Sequence, residues 1–254
     1  MRRGGFSIAV VLAALFLALT ALAQTAAAAV VGNWDKSARS WNNSHMTKVK
    51  AAMESAGYQV LADQPITEAG LKSLTVFVIG EPSASPSAEQ LSLLKKFMSA
   101  GGMILLFGDT GIDLPTYNNL LTGVGSTMAY TSTTIGTSSA LPENKFTGGP
   151  INIVGSTLSV TSGNGTAGGT LIDSNYVRYE QIGSGYMVVF GDRIDHNDVI
   201  SAANTNLILN IVSIALGPIV QIPALSPAGL LLASLLLLLA ASAALHHRRA
   251  ARTG

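Results

Sequence analysis

The sequence predicts an α/β fold with a mostly parallel sheet and one inserted β segment. The strand candidates Leu74–Gly80 and Met103–Phe107 are apolar throughout, which is typical of strands covered on both faces. They alternate with stretches whose apolar residues recur at helical spacing, the order expected of a parallel α/β sheet. From 122 to 169 the composition changes to Ser, Thr and Gly with few charges, which predicts short inserted strands and loops.

Each further element depends on a local signal in the sequence. Gly57 ends the first helix, and Ser87 with Gln90 forms a capping box that begins the second. The turn Gly183-Ser184-Gly185 separates the two strands of a hairpin. In chain order these elements are a strand at Val30–Trp34, a helix at Ser44–Ala56, a short strand at Tyr58–Ala62, a helix from Ser87 to about Ala100, strands at Tyr176–Ile182 and Tyr186–Phe190, and a helix at Asp198–Leu216.

The composition limits the classes of partner and chemistry. The chain has 254 residues and a net charge of +1, so it lacks the excess positive charge of a nucleic-acid-binding protein. It contains no cysteine, which excludes disulfides, a thiolate nucleophile and a thiolate metal site. Only 11% of its residues are charged, against about 25% in an ordinary soluble domain, and the apolar excess lies at the two ends.

The first residues have the layout of a secretory signal peptide. Two arginines precede the apolar stretch Phe6–Leu22, and Ala21-Leu22-Ala23 is a small-x-small cleavage site. We therefore expect residues 1–23 to be removed on export. The alternatives are cleavage after Ala27-Ala28-Ala29 and an uncleaved membrane anchor.

An uncharged apolar segment near the end of the sequence predicts a transmembrane helix. At about 1.5 Å per residue the segment 228–245 spans about 27 Å, close to the hydrocarbon thickness of about 30 Å. The basic residues that follow it favour the cytoplasmic side. Together with export, this orientation places the α/β domain, residues 30–217, outside the membrane and attaches it through the helix.

A proline-containing stretch lies directly before this helix. Proline disfavours helix at the residue preceding it, so the stretch should be extended, as the cleft of a processing enzyme requires. The layout resembles the IPTL-CTERM sorting signal of Gram-negative bacteria. Ile222, Pro223, Leu225 and Ser226 match the Ile-Pro-Thr-Leu-Ser motif of that signal, and Ala224 replaces its Thr.

This resemblance has consequences for processing and localisation. It implies that residues 222–254 form a sorting signal for an exosortase-type membrane transpeptidase. The protein would then remain in the inner membrane with a periplasmic domain, or reach the cell surface after processing. The altered motif leaves both outcomes open.

Three segments of the middle region carry a second resemblance: Leu74–Gly80, Gly101–Asp109 and Gly185–Asp192. They resemble the class I glutamine amidotransferase-like superfamily in its non-enzymatic, DUF4350-like or ThuA-like branches. The resemblance implies a flavodoxin-like, amidotransferase-like sheet. Enzymes of the superfamily use a Cys nucleophile at a strand-to-helix elbow with a His partner, whereas Gly80-Glu81-Pro82-Ser83 follows the strand here.

Catalysis is therefore not the expected role of the domain, and no cofactor motif is present. Residues 30–217 contain two histidines, His45 and His196. A degenerate hydrolase acting on a glycan or amide is the alternative, and it needs Ser83, His196 and a carboxylate within hydrogen-bonding reach.

A repeated pattern marks a candidate site. Phe-Gly-Asp ends one predicted strand and recurs at the end of another, and open α/β sheets bind ligands beyond the carboxyl ends of their strands. Carboxylates there would hold a hard cation such as Ca²⁺ or hydrogen-bond a sugar. The alternative is that they cap helices and turns, with Arg178 or Arg193 as ion-pair partner. The candidate residues are Asp109, Asp113, Asp192, Asp195, Trp34 and Asp35.

These observations together predict an exported bacterial envelope protein, either anchored in the membrane or sorted to the cell surface. Its domain is expected to bind a ligand or partner without catalysis. The oligomeric state is left open by the sequence.

Overall fold

The computed structural model describes residues 29–41, 45–136, 138–173, 176–197 and 200–215. The signal peptide predicted at 1–23 and the sorting signal predicted at 222–254 lie outside these ranges. Within them, no helix is both long enough and apolar enough to span a membrane. The transmembrane helix predicted at 228–245 also lies outside the described residues and stays a prediction.

The described residues form nine strands and five helices. The strands are β1 Val30–Asn33, β2 Gln59–Val60, β3 Val76–Gly80, β4 Met103–Phe107, β5 Ala129–Ile135, β6 Gly163–Ala167, β7 Thr170–Asp173, β8 Val177–Ile182 and β9 Gly185–Phe190. The helices are α1 Thr47–Ser55, α2 Glu68–Leu71, α3 Ala88–Ser99, α4 Leu114–Val124 and α5 Ala202–Ile214.

Seven of the strands form one sheet in the order β2-β1-β3-β4-β9-β8-β7. The first five strands of this order run parallel, and β8 and β7 are added at the far side as antiparallel neighbours. The predicted α/β fold with a mostly parallel sheet is therefore confirmed. Since β1 has β2 on one side and β3 on the other, the strand order reverses between β1 and β3.

Each face of this sheet packs against helices. Side chains alternate across a strand, so Val76 and Val78 of β3 lie in one core while Phe77 and Ile79 lie in the other. The first core includes residues of α1 and α5, and the second includes residues of α2, α3 and α4. Burial on both faces explains why the central strands are apolar throughout.

The predicted capping signal agrees with the structure at α3. The Ser87 hydroxyl accepts the Gln90 N–H at 3.2 Å, and the Gln90 side chain accepts the Ser87 N–H at 2.9 Å, so the predicted capping box is present. The last helix begins later than predicted, because Ser201 is its N-cap and accepts the Asn204 N–H at 3.2 Å.

Helix α4 was not predicted, and the insertion therefore begins later than 122. Asp113 is the N-cap, a proline lies in the first turn, and Gly125 ends the helix at a φ of 89°. These are ordinary start and stop signals, but the Thr- and Gly-containing end of α4 resembles the loop composition that follows it.

The insertion forms a separate two-stranded antiparallel sheet, β5 with β6, and it packs on the end of β9. The Tyr130 hydroxyl donates to the carbonyls of Leu106 at 3.1 Å and Phe190 at 3.0 Å. Burial raises the pKa of Tyr130 well above its usual value, so the phenol keeps the proton that it donates. Tyr130 therefore attaches the insertion to the carboxyl edge of the main sheet.

Candidate functional site

The carboxyl ends of β4 and β9 lie side by side. The two strands pair in parallel with Phe107 opposite Phe190, and the two phenyl rings stack with centroids 4.3 Å apart. The two Phe-Gly-Asp segments are therefore neighbours at one edge of the sheet, as predicted. This edge is also where β1 and β3 end.

A buried arginine connects the loops that leave this edge. Arg39 is 3% exposed and follows β1. Its Nη2 donates to the carbonyl of Gly108 at 2.9 Å, and its Nη1 donates to Asp195 Oδ1 at 3.2 Å. Its Nε lies 3.5 Å from Glu81 Oε2. One guanidinium thus links the chain segments that follow β1, β3, β4 and β9.

Burial acts against both charges of the Arg39–Asp195 pair. Desolvation lowers the pKa of Arg39, but the carboxylates of Asp195 and Glu81 outweigh this effect and leave it raised, so the guanidinium stays charged. Desolvation raises the pKa of Asp195 more than Arg39 lowers it. Asp195 Oδ2 is buried without a hydrogen-bond partner among the described residues, which is consistent with a carboxyl group that is costly to ionise.

Glu81 follows β3 in a strained conformation. Its φ is 61°, and among the described residues it is the one non-glycine residue with a positive φ. The Glu81 carbonyl accepts the Ala38 N–H at 2.7 Å, and the Gly80 carbonyl accepts the Arg39 N–H at 2.8 Å. A left-handed glutamate costs about 1–3 kcal/mol, and these bonds from the neighbouring loop help to hold the conformation.

The loop after β1 covers the crevice between β1 and β3. A side chain at Gly80 would meet the Arg39 carbonyl oxygen at 2.3 Å, so the loop lies directly on the end of β3. The Ser37 hydroxyl also accepts the Gly80 N–H at 3.0 Å. At this edge of the sheet, solvent therefore reaches only the side chains that extend past the loop.

The acidic candidates divide into buried and open groups. Asp192 is buried, and its carboxylate accepts the Thr161 and Arg193 N–H groups, each at 2.8 Å. Burial raises the pKa of Asp192, although both of these bonds lower it. The Asp109 side chain is 23% exposed, and its Oδ2 lies 3.8 Å from Arg193 Nε. The structure thus places Asp109 on the open edge and Asp192 beneath the insertion.

The remaining candidates have three different environments. Asp113 is exposed at the N-cap position of α4, and its carboxylate accepts the Thr116 hydroxyl at 2.6 Å and not a backbone N–H of the helix. Asp35 is exposed beyond β1. Trp34 is 1% exposed and belongs to the same core as Phe77, so this structure does not place its ring on the open edge where the ligand contact was predicted. The alternation of side chains across β1 directs it into the core.

The structure also shows the surroundings of Trp41 and of the two arginines that were candidate ion-pair partners. Trp41 is 5% exposed and belongs to the core on the face of α1 and α5. Arg178 donates to the carbonyl of Gly168 at 2.9 Å and does not pair with an aspartate in the described part of the chain. Arg193 is the ion-pair partner, as the alternative interpretation had it.

Within the described part of the chain, the structure shows no cluster of metal ligands and no base bonded to Ser83. Among the described residues, no three acidic or histidine side chains lie close enough together to hold a metal ion. The Ser83 hydroxyl donates to the carbonyl of Lys36 at 2.6 Å, and the His196 ring packs on His45 with centroids 4.3 Å apart. Ser83 and His196 thus have other partners in this structure.

Sequence reasoning missed Arg39 and Glu81. Glu81 was detectable, because it is a charged residue directly after a buried strand. Asp109 and Asp192 were selected for the same reason, since each lies two residues after the end of a strand. Arg39 had no such signal. Its partner Asp195 is 156 positions away, and only the order of the strands brings the two together.

Comparisons with known proteins extend only to the fold. No protein-family model and no curated protein matches this sequence. The mmIFT52 N-terminal domain is 14% identical with a TM-score of 0.58, and the match covers 75% of this chain and 97% of that one. Cytoplasmic Protein STM1381 from Salmonella typhimurium LT2 is 10% identical with a TM-score of 0.51, and the match covers 72% of this chain and 98% of that one. These similarities describe the α/β architecture alone.

Proposed function

We propose that this chain is an exported, non-enzymatic envelope protein whose α/β domain binds a polar, hydroxylated ligand such as a sugar at the open carboxyl edge of its sheet. The C-terminal segment holds it in the inner membrane, or an exosortase-type enzyme processes it for the cell surface. We further infer that the fold is of the flavodoxin-like, amidotransferase-like variety, which agrees with the order of the five parallel strands.

The observation that carries the binding proposal is the strained Glu81. Parallel α/β sheets bind ligands where the strand order reverses, and Glu81 lies at that point, after β3. The loop after β1 covers the crevice there, but the Glu81 side chain stays 37% exposed beside it. Backbone strain persists at functional sites, because the surrounding structure is selected to maintain it. A residue without a functional task here would favour glycine, which adopts the same φ without cost.

The groups around Glu81 determine the class of ligand. The side chains of Glu81, Asp109 and Arg193 are 37%, 23% and 32% exposed, so two acceptors and one donor face solvent at this edge. Hydroxyl groups both donate and accept, and they match such a mixed set better than a simple anion or cation does. The Thr110 hydroxyl, bonded to the Ser162 carbonyl at 2.6 Å, adds a further polar neighbour beside Asp109.

The absence of catalysis is supported by the residues at the elbow after β3. Glu81 lies in the turn, and the hydroxyl of the nearby Ser83 donates to the backbone carbonyl of Lys36 and not to a base. A nucleophile needs a base within about 3 Å. The described residues therefore favour binding over acyl transfer.

The binding proposal is tested with two substitutions at one position. Glu81→Gln keeps the strained backbone and removes the charge, whereas Glu81→Gly removes both the charge and the strain. We expect neutral oligosaccharides to bind the wild-type chain and to lose binding to both variants, measured by saturation-transfer NMR. Glu81→Gly should be more stable than Glu81→Gln by about 1 kcal/mol in urea unfolding.

Two outcomes would count against a site at Glu81. The first is undiminished saccharide binding in Glu81→Gln. The second is equal stability of the two variants, which would mean that the backbone stores no strain at this position.

The export proposal is tested by the intact mass of the protein from its native membrane. A mass that lacks residues 1–23 supports export. A mass that corresponds to a chain cleaved near the proline-containing stretch supports processing, if Pro223→Ala no longer gives that mass. A mass that retains the C-terminal segment in both forms supports an anchored protein. Retention of the first residues would contradict a cleaved signal peptide.

A further inference from the structure

An aromatic cluster on β8, β9 and the insertion surrounds a cation that belongs to the chain itself. The ammonium of Lys145 lies 4.0 Å from the ring centroid of Tyr186, 4.6 Å from that of Tyr179 and 4.9 Å from that of Phe146. Favourable cation–π contacts require about 6 Å or less. All three rings therefore attract the same charge, and we call these three residues the aromatic cage.

The rings are fixed by the fold. Tyr179 of β8 and Tyr186 of β9 are diagonal neighbours on one face of the sheet, because Gln181 pairs with Tyr186 and lies two residues from Tyr179. Their ring centroids are 6.2 Å apart with an interplanar angle of 59°. Phe146 packs edge-on against Tyr179 at 4.7 Å. The sheet register and the ring contacts therefore hold the three rings in position relative to one another.

The backbone of Phe146 is also held in place. Its carbonyl accepts the Asn210 Nδ2 amide at 2.8 Å, and its N–H donates to Asn144 Oδ1 at 2.9 Å. The third ring of the cage is thus attached to α5 as well as to the insertion.

The lysine is held weakly compared with the rings. Lys145 is exposed, and within the described residues its ammonium has neither a carboxylate partner nor a hydrogen-bond acceptor. Tyr179 and Tyr186 are half-buried and Phe146 is fully buried, so solvent reaches the two tyrosine rings of the cage. A primary ammonium is strongly hydrated and loses hydrogen bonds to water when it enters such a cage. A trimethylammonium group has no N–H to desolvate and takes the same position at lower cost.

We propose that the aromatic cage is a binding site for quaternary ammonium groups of the choline type, and that Lys145 occupies it as a built-in competitor. This proposal is independent of the ligand site at Glu81. Three aromatic faces around one cation are the arrangement that recognises quaternary ammonium ligands. Removal of Lys145 should open the cage to an external ligand.

The test uses the full chain in a maltoside detergent and an amine-free phosphate buffer, with choline titrated by calorimetry. Lys145→Ala should bind choline about tenfold more tightly than wild type, because the lysine no longer competes for the cage. This ratio corresponds to a difference of about 1.4 kcal/mol in the free energy of choline binding. Lys145→Arg is the matched control, because it keeps a cation in the cage, and it should bind choline as weakly as wild type. The neutral isostere 3,3-dimethylbutan-1-ol should not bind Lys145→Ala.

Second-site variants connect the binding to the rings. In the Lys145→Ala background, Tyr186→Phe keeps the aromatic face and should retain choline binding, whereas Tyr186→Leu should abolish it. Glycerophosphocholine is titrated beside choline to distinguish two sources of the quaternary ammonium group. Tighter binding of glycerophosphocholine indicates a phospholipid headgroup, tighter binding of choline indicates the free amine, and both results support the cage. The proposal is overturned if Lys145→Ala binds choline no better than wild type, if the isostere binds equally well, or if Tyr186→Phe abolishes binding in a chain that remains folded by its melting curve.

Discussion

The ends of β4 and β9 have the same three residues and different surroundings. Phe107-Gly108-Asp109 and Phe190-Gly191-Asp192 lie in register on neighbouring parallel strands. Asp109 keeps a partly exposed side chain near Arg193, whereas Asp192 is completely buried. The same local sequence thus produces an open carboxylate in one place and a structural carboxylate in the other.

The insertion causes this difference. Thr161 donates its N–H to Asp192, and a side chain at Gly163 would meet the carbonyl oxygen of Gly191 at 2.2 Å. The backbone of β6 therefore packs on the end of β9, and it leaves the carboxylate of Asp109 partly open. A residue at the carboxyl edge of a parallel sheet is available to a ligand only where no other part of the chain has already covered it.

The largest effect should come from removing the residue that connects the two strand ends. Arg39 binds the Gly108 carbonyl after β4 and the Asp195 carboxylate after β9. Arg39→Met leaves Asp195 buried without its counter-charge, so we expect the free energy of unfolding to fall by about 3–5 kcal/mol, measured in urea.

A second substitution separates the charge effect from a loss of packing. In Arg39→Met/Asp195→Asn the uncompensated charge is gone, and a substantial part of the lost stability should return. If the double variant is as unstable as Arg39→Met, packing and not the ion pair accounts for the effect.

The next largest effect is expected from replacing the glycine of each Phe-Gly-Asp segment, Gly191 or Gly108, with alanine. Gly191→Ala would place a methyl group 2.3 Å from the Asn164 carbonyl oxygen in the backbone of the insertion, which cannot move away at low cost. We expect a loss of about 3 kcal/mol. Gly108→Ala would meet the Tyr130 ring at 2.7 Å and the Phe190 carbonyl oxygen at 2.9 Å, and we expect about 1–2 kcal/mol.

Thermal and urea unfolding of both glycine variants measure this difference. Gly191→Ala should also weaken the protection of the β5–β6 amides against hydrogen exchange, because it forces β6 away from β9. Equal losses in the two variants would show that the backbone of β6 moves away as easily as the Tyr130 ring does, and the contrast between the two strand ends would then need another cause.

The sequence predicted the parts of this comparison that depend on local pattern. An apolar run followed by Gly predicted β3 and β4, and their alternation with helices predicted a parallel sheet, so the ends of β4 and β9 could be placed at one edge. Helix α4 was missed although Asp113 and Gly125 are recognisable caps. The end of α4 contains Thr and Gly, as does the stretch that follows it, so the composition does not change where the helix ends.

The environments of the site residues could not be predicted in this way. The burial of Asp192 depends on Thr161, which lies 31 positions earlier, and the Arg39–Asp195 pair joins residues 156 positions apart. Neither contact has a periodicity or a motif. The strain at Glu81 is also a tertiary effect, since the hydrogen bonds that maintain it come from the loop after β1.

The smallest expected effect is a difference in how stability depends on pH. Burial raises the pKa of Asp192. Burial also acts to raise the pKa of Glu180 on β8, but hydrogen bonds from Ser126 and Thr127 outweigh it and leave the pKa lowered. The two carboxylates therefore contribute to stability with opposite signs as the solution is acidified.

The signs follow from which state protonates first. Folded Asp192 takes up its proton before the unfolded chain does, so wild type gains stability relative to Asp192→Ala as pH falls through the folded pKa toward about 3.9. Unfolded Glu180 protonates first, so wild type loses stability relative to Glu180→Gln as pH falls below about 4.3. Urea unfolding of the three proteins between pH 7 and pH 3 measures both differences. If the two differences change in the same direction, Asp192 is not the desolvated carboxylate that its position beneath the insertion requires.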